Sequence, residues 1–474
     1  MTIAFDNSYT RLPERFYTRQ HAEAVVDPQV IALNRELAED LGIAVEDLTA
    51  DWLAGNAVPE GAAPLAQVYA GHQFGNFVPQ LGDGRALLIG EFVDEDGARF
   101  DIQLKGSGRT PYSRMGDGRA AIGPVIREYV MSEAMAALGV PTSRALAAVT
   151  TGEHVVREQG PLPGAVLTRV AASHIRVGTF QYFYARGDVD GLRTLADYSI
   201  ARHDPEADGY VEFLGGVVER QACLVAQWMQ LGFIHGVMNT DNCTISGETI
   251  DYGPCAFMDG FDPGKVFSSI DQGGRYSWGS QGRIAHWNMA QLAQALLPLL
   301  DVDEDKAVEL AQGVVDRFPA LFQRHHLEGF CAKLGIAEPE AGDAALVEAT
   351  LEMLAGAGVD HTVFWRHLRG ALSDAGPLRE VISGEAFDAW FERWEARVRG
   401  LAMAEYTMAG ANPVRIPRNH QVEAAIEAAE RGDYAPFEAL NSALTEPYAE
   451  DPALLAYEAR PEAHEVVHRT FCGT

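Results

Sequence analysis

Hydrophobic and polar positions change their period partway along the chain. In the region from about residue 67 to 105 they alternate every second position. Leu87-Leu88-Ile89-Gly90-Glu91-Phe92-Val93 and Phe100-Asp101-Ile102-Gln103-Leu104 read as two strands, with Asp96-Gly97 as the hairpin turn between them. Upstream, a first helix is expected: Asp27 as N-cap, Pro28 at the first helical position, Val30, Ile31, Leu33, Leu37 and Leu41 on one face, and Gly42 as the stop. Another helix opens at Pro124 and closes near Gly139, and strand or connector character returns over residues 140–157 and 164–170. From about Val211 a helical period takes over. It predicts one long helix over 211–231 ending at Gly232, then helices over 286–300, 306–325, 344–357, 385–399 and 421–432. Residues 447–474 are weakly periodic and carry prolines, so an extended tail is expected there.

This pattern implies an α+β chain: a mixed α/β part over residues 1–165, followed by a mainly helical part over 166–474. A bilobal protein kinase has this order of elements, although other α+β folds satisfy the bare pattern. No internal repeat is evident. The 474 residues allow two lobes around a cleft. With 67 acidic against 37 basic residues the net charge is −30, which argues against nucleic acid or an anionic membrane as partner. No apolar run has transmembrane length, and the start of the chain lacks signal-peptide features. Five cysteines, odd in number and without a C-x-x-C pair, make structural zinc unexpected and suit the cytoplasm.

The chemistry concentrates in His235-Gly236-Val237-Met238-Asn239-Thr240-Asp241-Asn242, followed by Ile250-Asp251-Tyr252-Gly253. A kinase catalytic loop has the form H-R-D-x-x-x-x-N before a D-F-G. Asn242 and Asp251 can then be metal ligands, but Val237 stands where the catalytic Asp belongs. Either catalysis is lost, or ATP serves something other than ordinary phosphoryl transfer. Asp241, beside Asn242, is the candidate base, with a turn carboxylate as its plainer reading. Upstream, Gln80-Leu81-Gly82-Asp83-Gly84-Arg85-Ala86 precedes a strand. Gly82 and Gly84 would let backbone N–H groups approach a polyphosphate, and Arg85 adds a guanidinium; by itself this is also an ordinary turn. Lys105 ends a strand, and Glu128 lies one turn into the next helix, as the paired Lys and Glu of a kinase do. Asp117-Gly118-Arg119 can add a polar wall. Arg169 and Arg176 form a pocket for terminal phosphates or, more plainly, pair with surface acids. Walker, Rossmann, H-E-x-x-H and G-x-S-x-G patterns are absent.

At these residues the chain resembles the selenoprotein O (SelO) family of kinase-like protein adenylyltransferases. The resemblance rests on Phe5-Asp6-Asn7-Ser8-Tyr9, Val68-Tyr69-Ala70-Gly71-His72-Gln73-Phe74-Gly75, the Gly82 and Lys105 segments, Arg127-Glu128-Tyr129, Ser173-His174-Ile175-Arg176, the His235 and Asp251 segments, and Ile416-Pro417-Arg418-Asn419-His420. It implies a pseudokinase fold in which ATP binds in reversed orientation. AMP passes to Ser, Thr or Tyr hydroxyls of protein substrates and pyrophosphate leaves. It further implies ATP contacts at Gly82, Gly84, Arg85, Lys105, Asp117, Gly118, Arg169, Arg176 and Asp251, with Lys105 clamped by Glu128. Asp241 becomes the proton acceptor, and Asn242 and Asp251 hold Mg²⁺ or Mn²⁺. UTP as an alternative nucleotide stays open, as do a phosphoryl-transferring kinase using Asp241 and an inactive ATP-binding scaffold. A monomer is expected. The family's redox-sensitive position falls on Cys472; a bridge from it to Cys255 and two independent thiols are both open.

Overall fold

An antiparallel sheet organises the amino-terminal part of the chain in this computed structural model, which describes residues 3–471. In chain order its elements are β1 (Tyr17–Arg19), β2 (Gln29–Leu33), α1 (Arg35–Asp40), α2 (Ala50–Ala54) and β3 (Leu65–Gln67). A small hairpin follows, β4 (Gly71–Gln73) and β5 (Asn76–Val78), and then β6 (Ala86–Val93), β7 (Arg99–Lys105), β8 (Ala120–Ala121), α3 (Ile122–Ala137), β9 (Arg144–Arg157) and β10 (Gly160–Ala171). The strands lie in the order β1-β3-β6-β7-β10-β9-β2, and β8 pairs with β10. The expected hairpin of residues 87–104 is thus β6 and β7, turning at Gly97 with φ +86°.

Register decides which side chains face the cleft. Arg169 of β10 stands opposite Gln103 of β7, and Lys105 stands opposite Leu167. Because successive strand residues alternate faces, Gln103, Lys105 and Arg169 share one face. The residues between them, Ile102, Leu104, Val166 and Val170, bury on the other face, against Leu37, Trp52 and Leu53 of α1 and α2.

The remainder is mainly helical. It comprises α4 (Val177–Tyr184), α5 (Val189–His203), α6 (Tyr210–Leu231), the short strands β11 (Phe233–Ile234) and β12 (Ala256–Phe257), α7 (Gln281–Leu300), α8 (Glu304–Val315) and α9 (Phe318–Lys333). Then come α10 (Asp343–Ala357), α11 (His361–Leu368), α12 (Gly376–Val381), α13 (Glu385–Val398), α14 (Ala404–Ala411), α15 (Asn419–Glu430) and α16 (Ala435–Ala443). The long helix α6 ends where expected, with Gly232 at φ +72° as a left-handed cap. The largest apolar core joins α3, α6, α7 and α15 to the inner face of the sheet, while Trp365, Trp390 and Trp394 anchor a second core among the later helices. No helix among the described residues is long and apolar enough to cross a membrane.

Several elements depart from the expectation. Residues 27–41 are not one helix: residues 29–33 form β2, and α1 starts only after Asn34, whose side chain accepts from the Leu37 N–H. The edge of β9 explains this, because Val30 and Leu33 pair with Val149 and Ala147 there, and a β-branched run suits that pairing better than a helix. The 306–325 period is split into α8 and α9 at Asp316 and Arg317. Helical structure also begins earlier than Val211, with α4 and α5. The expected change of character after residue 165 falls inside β10, which remains paired to Ala171. Residues 452–458 form a 3-10 turn within the otherwise irregular tail, and Cys472 lies outside the described residues.

Candidate nucleotide-binding site

Three cations converge on Asp251. Lys105 Nζ and Arg169 Nη1 each lie 2.7 Å from Oδ1, and Arg176 Nη1 lies 3.3 Å from Oδ2. Glu128 on α3 is the second anion: its Oε2 accepts from Lys105 at 2.5 Å and its Oε1 from Arg169 at 3.0 Å. The expected Lys105–Glu128 pair is therefore formed, and Arg169 joins it. Burial alone would raise the Asp251 carboxyl, but Lys105, Arg169 and Arg176 hold it well below the usual carboxylate range. Arg176 also donates to the backbone oxygens of His174 (3.2 Å) and Asp241 (3.0 Å), and its guanidinium lies 4.4 Å from the Tyr69 ring centroid. Arg169 and Arg176 are both only 2% exposed, so they are not surface residues, although the ion pairs of the plainer reading are present, with Glu128 and Asp251. Asp251 itself has φ +61°, a left-handed backbone uncommon outside glycine, at the point where its carboxylate turns to the cations.

His235 braces the loop around Val237 against the backbone at Ile250. Its Nε2–H donates to the Ile250 oxygen at 2.9 Å, and the Val237 N–H donates to Nδ1 at 3.4 Å. Burial pushes its pKa down, which keeps the ring neutral and able to do both. The Asn242 amide donates to the Val237 oxygen at 3.0 Å, which leaves its own oxygen as the group free to serve a cation. Val237 itself is 6% exposed and lines the cleft, so an apolar side chain stands where a kinase has its Asp.

The hairpin of β4 and β5 is laid across this loop. His72 N–H donates to Thr240 Oγ1 (2.7 Å), Phe74 N–H to Asn239 Oδ1 (3.0 Å), and Gln73 Nε2 to Asp241 Oδ2 (3.2 Å). Contact is close enough that a Cβ on Gly71 would sit 2.4 Å from Asp241 Oδ1. That oxygen is buried and has no hydrogen-bond partner among the described residues. Burial, only partly offset by Gln73 and Arg176, pushes the Asp241 carboxyl up to about 6. Thr240–Asn242 forms a 3-10 turn, and the backbone N–H of Asp241 itself also holds its carboxylate, as a turn carboxylate would be held.

One cleft of about 950 Å³ is lined by Gly82, Gly84, Arg85, Lys105, Asp117, Gly118, Arg169, Arg176, Asp241, Asn242 and Asp251. Every expected site residue except Glu128, which stands behind Lys105, thus opens onto it. Gly82 has φ +121°, and a Cβ there would come within 2.5 Å of the Tyr112 ring. Asp117 is exposed at the rim and paired with Arg157 at 2.7 Å. Arg85 makes no ion pair among the described residues. No group of three or more His, Cys, Asp or Glu side chains with metal-binding geometry occurs among them either.

Sequence reasoning missed several residues that hold this arrangement. Gln103 Oε1 accepts from Arg169 Nε at 3.1 Å and fixes the fork. Asp83, between the two glycines, accepts from the Gln67 N–H at 3.0 Å, and burial pushes its carboxyl up to about 6. Its Oδ1 is 4.0 Å from Arg176 and has no hydrogen-bond partner among the described residues. Strand alternation from Lys105 back to Gln103 is a signal that could have found the first; nothing local marks Asp83 or Tyr69.

Residues 1–445 match the family described as "Protein adenylyltransferase SelO". Curated relatives described as "Protein nucleotidyltransferase YdiU" include one from Rhodopseudomonas palustris (strain BisB5), 56% identical over 487 residues, covering 99% of both chains. Another, from Cereibacter sphaeroides (strain ATCC 17029 / ATH 2.4.9), is 55% identical over 484 residues and covers all of both. Among solved structures, a MAP kinase from Leishmania major aligns over 75% of this chain and 98% of its own, at 12% identity and a TM-score of 0.21, too low to bear on the fold.

Proposed function

The chain belongs to the SelO family of protein adenylyltransferases and is a protein nucleotidyltransferase, and on that premise we propose that it moves AMP from ATP to Ser, Thr or Tyr hydroxyls of other proteins, with ATP bound terminal phosphates inward. The observation that carries this reading is the pair of buried arginines, Arg169 and Arg176, facing Asp251. A nucleotide base gains nothing from such a pocket, whereas a departing pyrophosphate needs its charge neutralised there. Its oxygens would take over Lys105, Arg169 and Arg176 from Asp251, while Glu128 and Gln103 keep the Lys105 and Arg169 side chains in place. The α-phosphorus then lies nearer the cleft mouth, where an acceptor hydroxyl can approach. The bond from the α-phosphorus to the bridging oxygen breaks as the bond to the acceptor oxygen forms. The acceptor proton passes to the Asp241 carboxylate, a residue that lines the cleft. A kinase-like arrangement of two lobes about this cleft fits the same reading.

Asn242 and Asp251 offer an amide and a carboxylate oxygen, a hard donor pair that suits Mg²⁺ or Mn²⁺ taking its other ligands from phosphate and water. When bound, such an ion neutralises phosphate oxygens. UMP transfer from UTP uses the same phosphate contacts and is the companion activity to assay.

The test is label transfer. With ATP labelled at the α- or γ-phosphate and a protein acceptor, covalent α-label is expected. Robust γ-label would replace this reading by a kinase, and no label from either would leave a binding scaffold.

A further inference from the structure

We infer that the hollow beside the β4–β5 hairpin, walled by Arg275, Arg283, His286 and Trp287, docks an acidic segment of the acceptor protein; this rests on the transferase reading above. The hollow has a volume of about 290 Å³, and its floor is Ile284 and Ala290 of α7. Its position ties it to the catalytic loop. The Tyr276 hydroxyl, next to Arg275, donates to Asn239 Oδ1 at 2.7 Å, the same oxygen that receives the Phe74 N–H. From the hairpin, His72 meets the Trp287 ring edge-on at 5.2 Å, while its neighbour Gln73 donates to Asp241. One hairpin therefore separates the proton acceptor from the hollow. A polypeptide presenting a hydroxyl to Asp241 can continue across it.

Charge selects the occupant. In a chain of net charge −30, neither Arg275 nor Arg283 makes an ion pair among the described residues. The Arg275 guanidinium lies 4.9 Å from the Trp287 ring centroid, and its buried Nε has no hydrogen-bond partner among the described residues. Arg283 is exposed in the first turn of α7, where a cation opposes the helix dipole, and that turn holds no acidic residue to offset it. Ring faces of Tyr276 and Trp287 are what the fold offers Arg275, and neither arginine is given a carboxylate among the described residues. An acidic segment would satisfy both, and an apolar or aromatic neighbour in it could cover Trp287. The protein's own acidic surface would be repelled from most of a partner copy, which favours a distinct acceptor.

Fluorescence anisotropy tests this without catalysis. A labelled peptide carrying Ser or Tyr flanked by Glu is compared with its Gln counterpart, on wild type, Arg283→Glu and Arg275→Glu/Arg283→Glu. The Glu peptide should bind at least about tenfold tighter to wild type, and each variant should reduce or abolish that preference. ATP affinity should be unchanged in the exposed-site variant Arg283→Glu, which guards against misfolding. Equal binding of both peptides, a preference that survives the double variant, or Arg283-dependent self-association on sedimentation would each overturn the inference. Parallel α-label transfer separates the two readings: peptide binding without transfer faults the proposed reaction, and transfer without charge preference faults the docking site alone.

Discussion

Lys105 and Arg169 share a single oxygen of Asp251, each at 2.7 Å, and both also reach Glu128. Two cations are thus held side by side by two carboxylates, a cluster that can hand its cations to phosphate without losing them. Asp251→Asn keeps the shape and removes the charge. We expect α-label transfer to fall by about a hundredfold or more, with a lowered melting temperature because three cations lose a counter-ion. Thermal melting alongside the transfer assay checks both.

Arg176 donates in a fork to two backbone oxygens and stacks on Tyr69. Lysine offers neither geometry. Arg176→Lys should raise the KM for ATP by about tenfold or more while the protein still folds, as followed by initial rates over an ATP series.

Gln103 touches no nucleotide in the proposed reaction, yet it holds Arg169 by its Oε1 and reaches toward Asp83 at 3.4 Å. Gln103→Leu is close in volume. It should lower kcat by about tenfold and leave the Arg169 fork mobile. Gln103→Glu should retain more activity than Leu, because a carboxylate can still receive the guanidinium; equal loss in both would contradict the positioning role.

Asp241 can be disturbed directly or from behind. Asp241→Asn should reduce transfer by about 10²–10⁴-fold with ATP binding preserved. Gly71→Ala places a methyl group within 2.4 Å of Asp241 Oδ1 and should act in the same direction without changing any charge. Isothermal titration with a non-hydrolysable ATP analogue separates loss of binding from loss of the proton acceptor.

Lys333 of α9 is 2% exposed, and among the described residues its Nζ meets the Ala411 oxygen at 3.2 Å and the Trp365 ring at 5.2 Å. Burial lowers its pKa from 10.5 to about 7. The unfolded chain therefore binds the proton that the native state gives up between these values. This residue's penalty is largest below pH 7 and fades as pH rises toward 10.5, so its effect on stability improves with pH across that window. Lys333→Met should stabilise the protein near pH 7 by something on the order of a few kcal/mol, with the gain shrinking toward pH 10. Melting temperatures of both proteins at several pH values check the sign.

Local pattern determined much of this protein. The β6–β7 hairpin, the long helix α6 with its Gly232 cap, and the ordered series Gly82, Lys105, Glu128, Asn242 and Asp251 were legible because turn chemistry, helical period and motif spacing are local properties. A single helix over residues 27–41 does not form, because the edge of β9, more than a hundred residues away, rewards an extended β2. Sequence could nominate Arg169 and Arg176 but not tell buried pocket cations from surface ones, since burial depends on what packs above them. Only tertiary structure set Gln103 against Arg169 through the β7–β10 register, put Tyr69 beside Arg176, and laid the Gly71 hairpin on Asp241. The physical reason is range. Backbone propensity acts over a few residues, whereas a cluster of buried charges is defined by partners that folding brings together from distant parts of the chain.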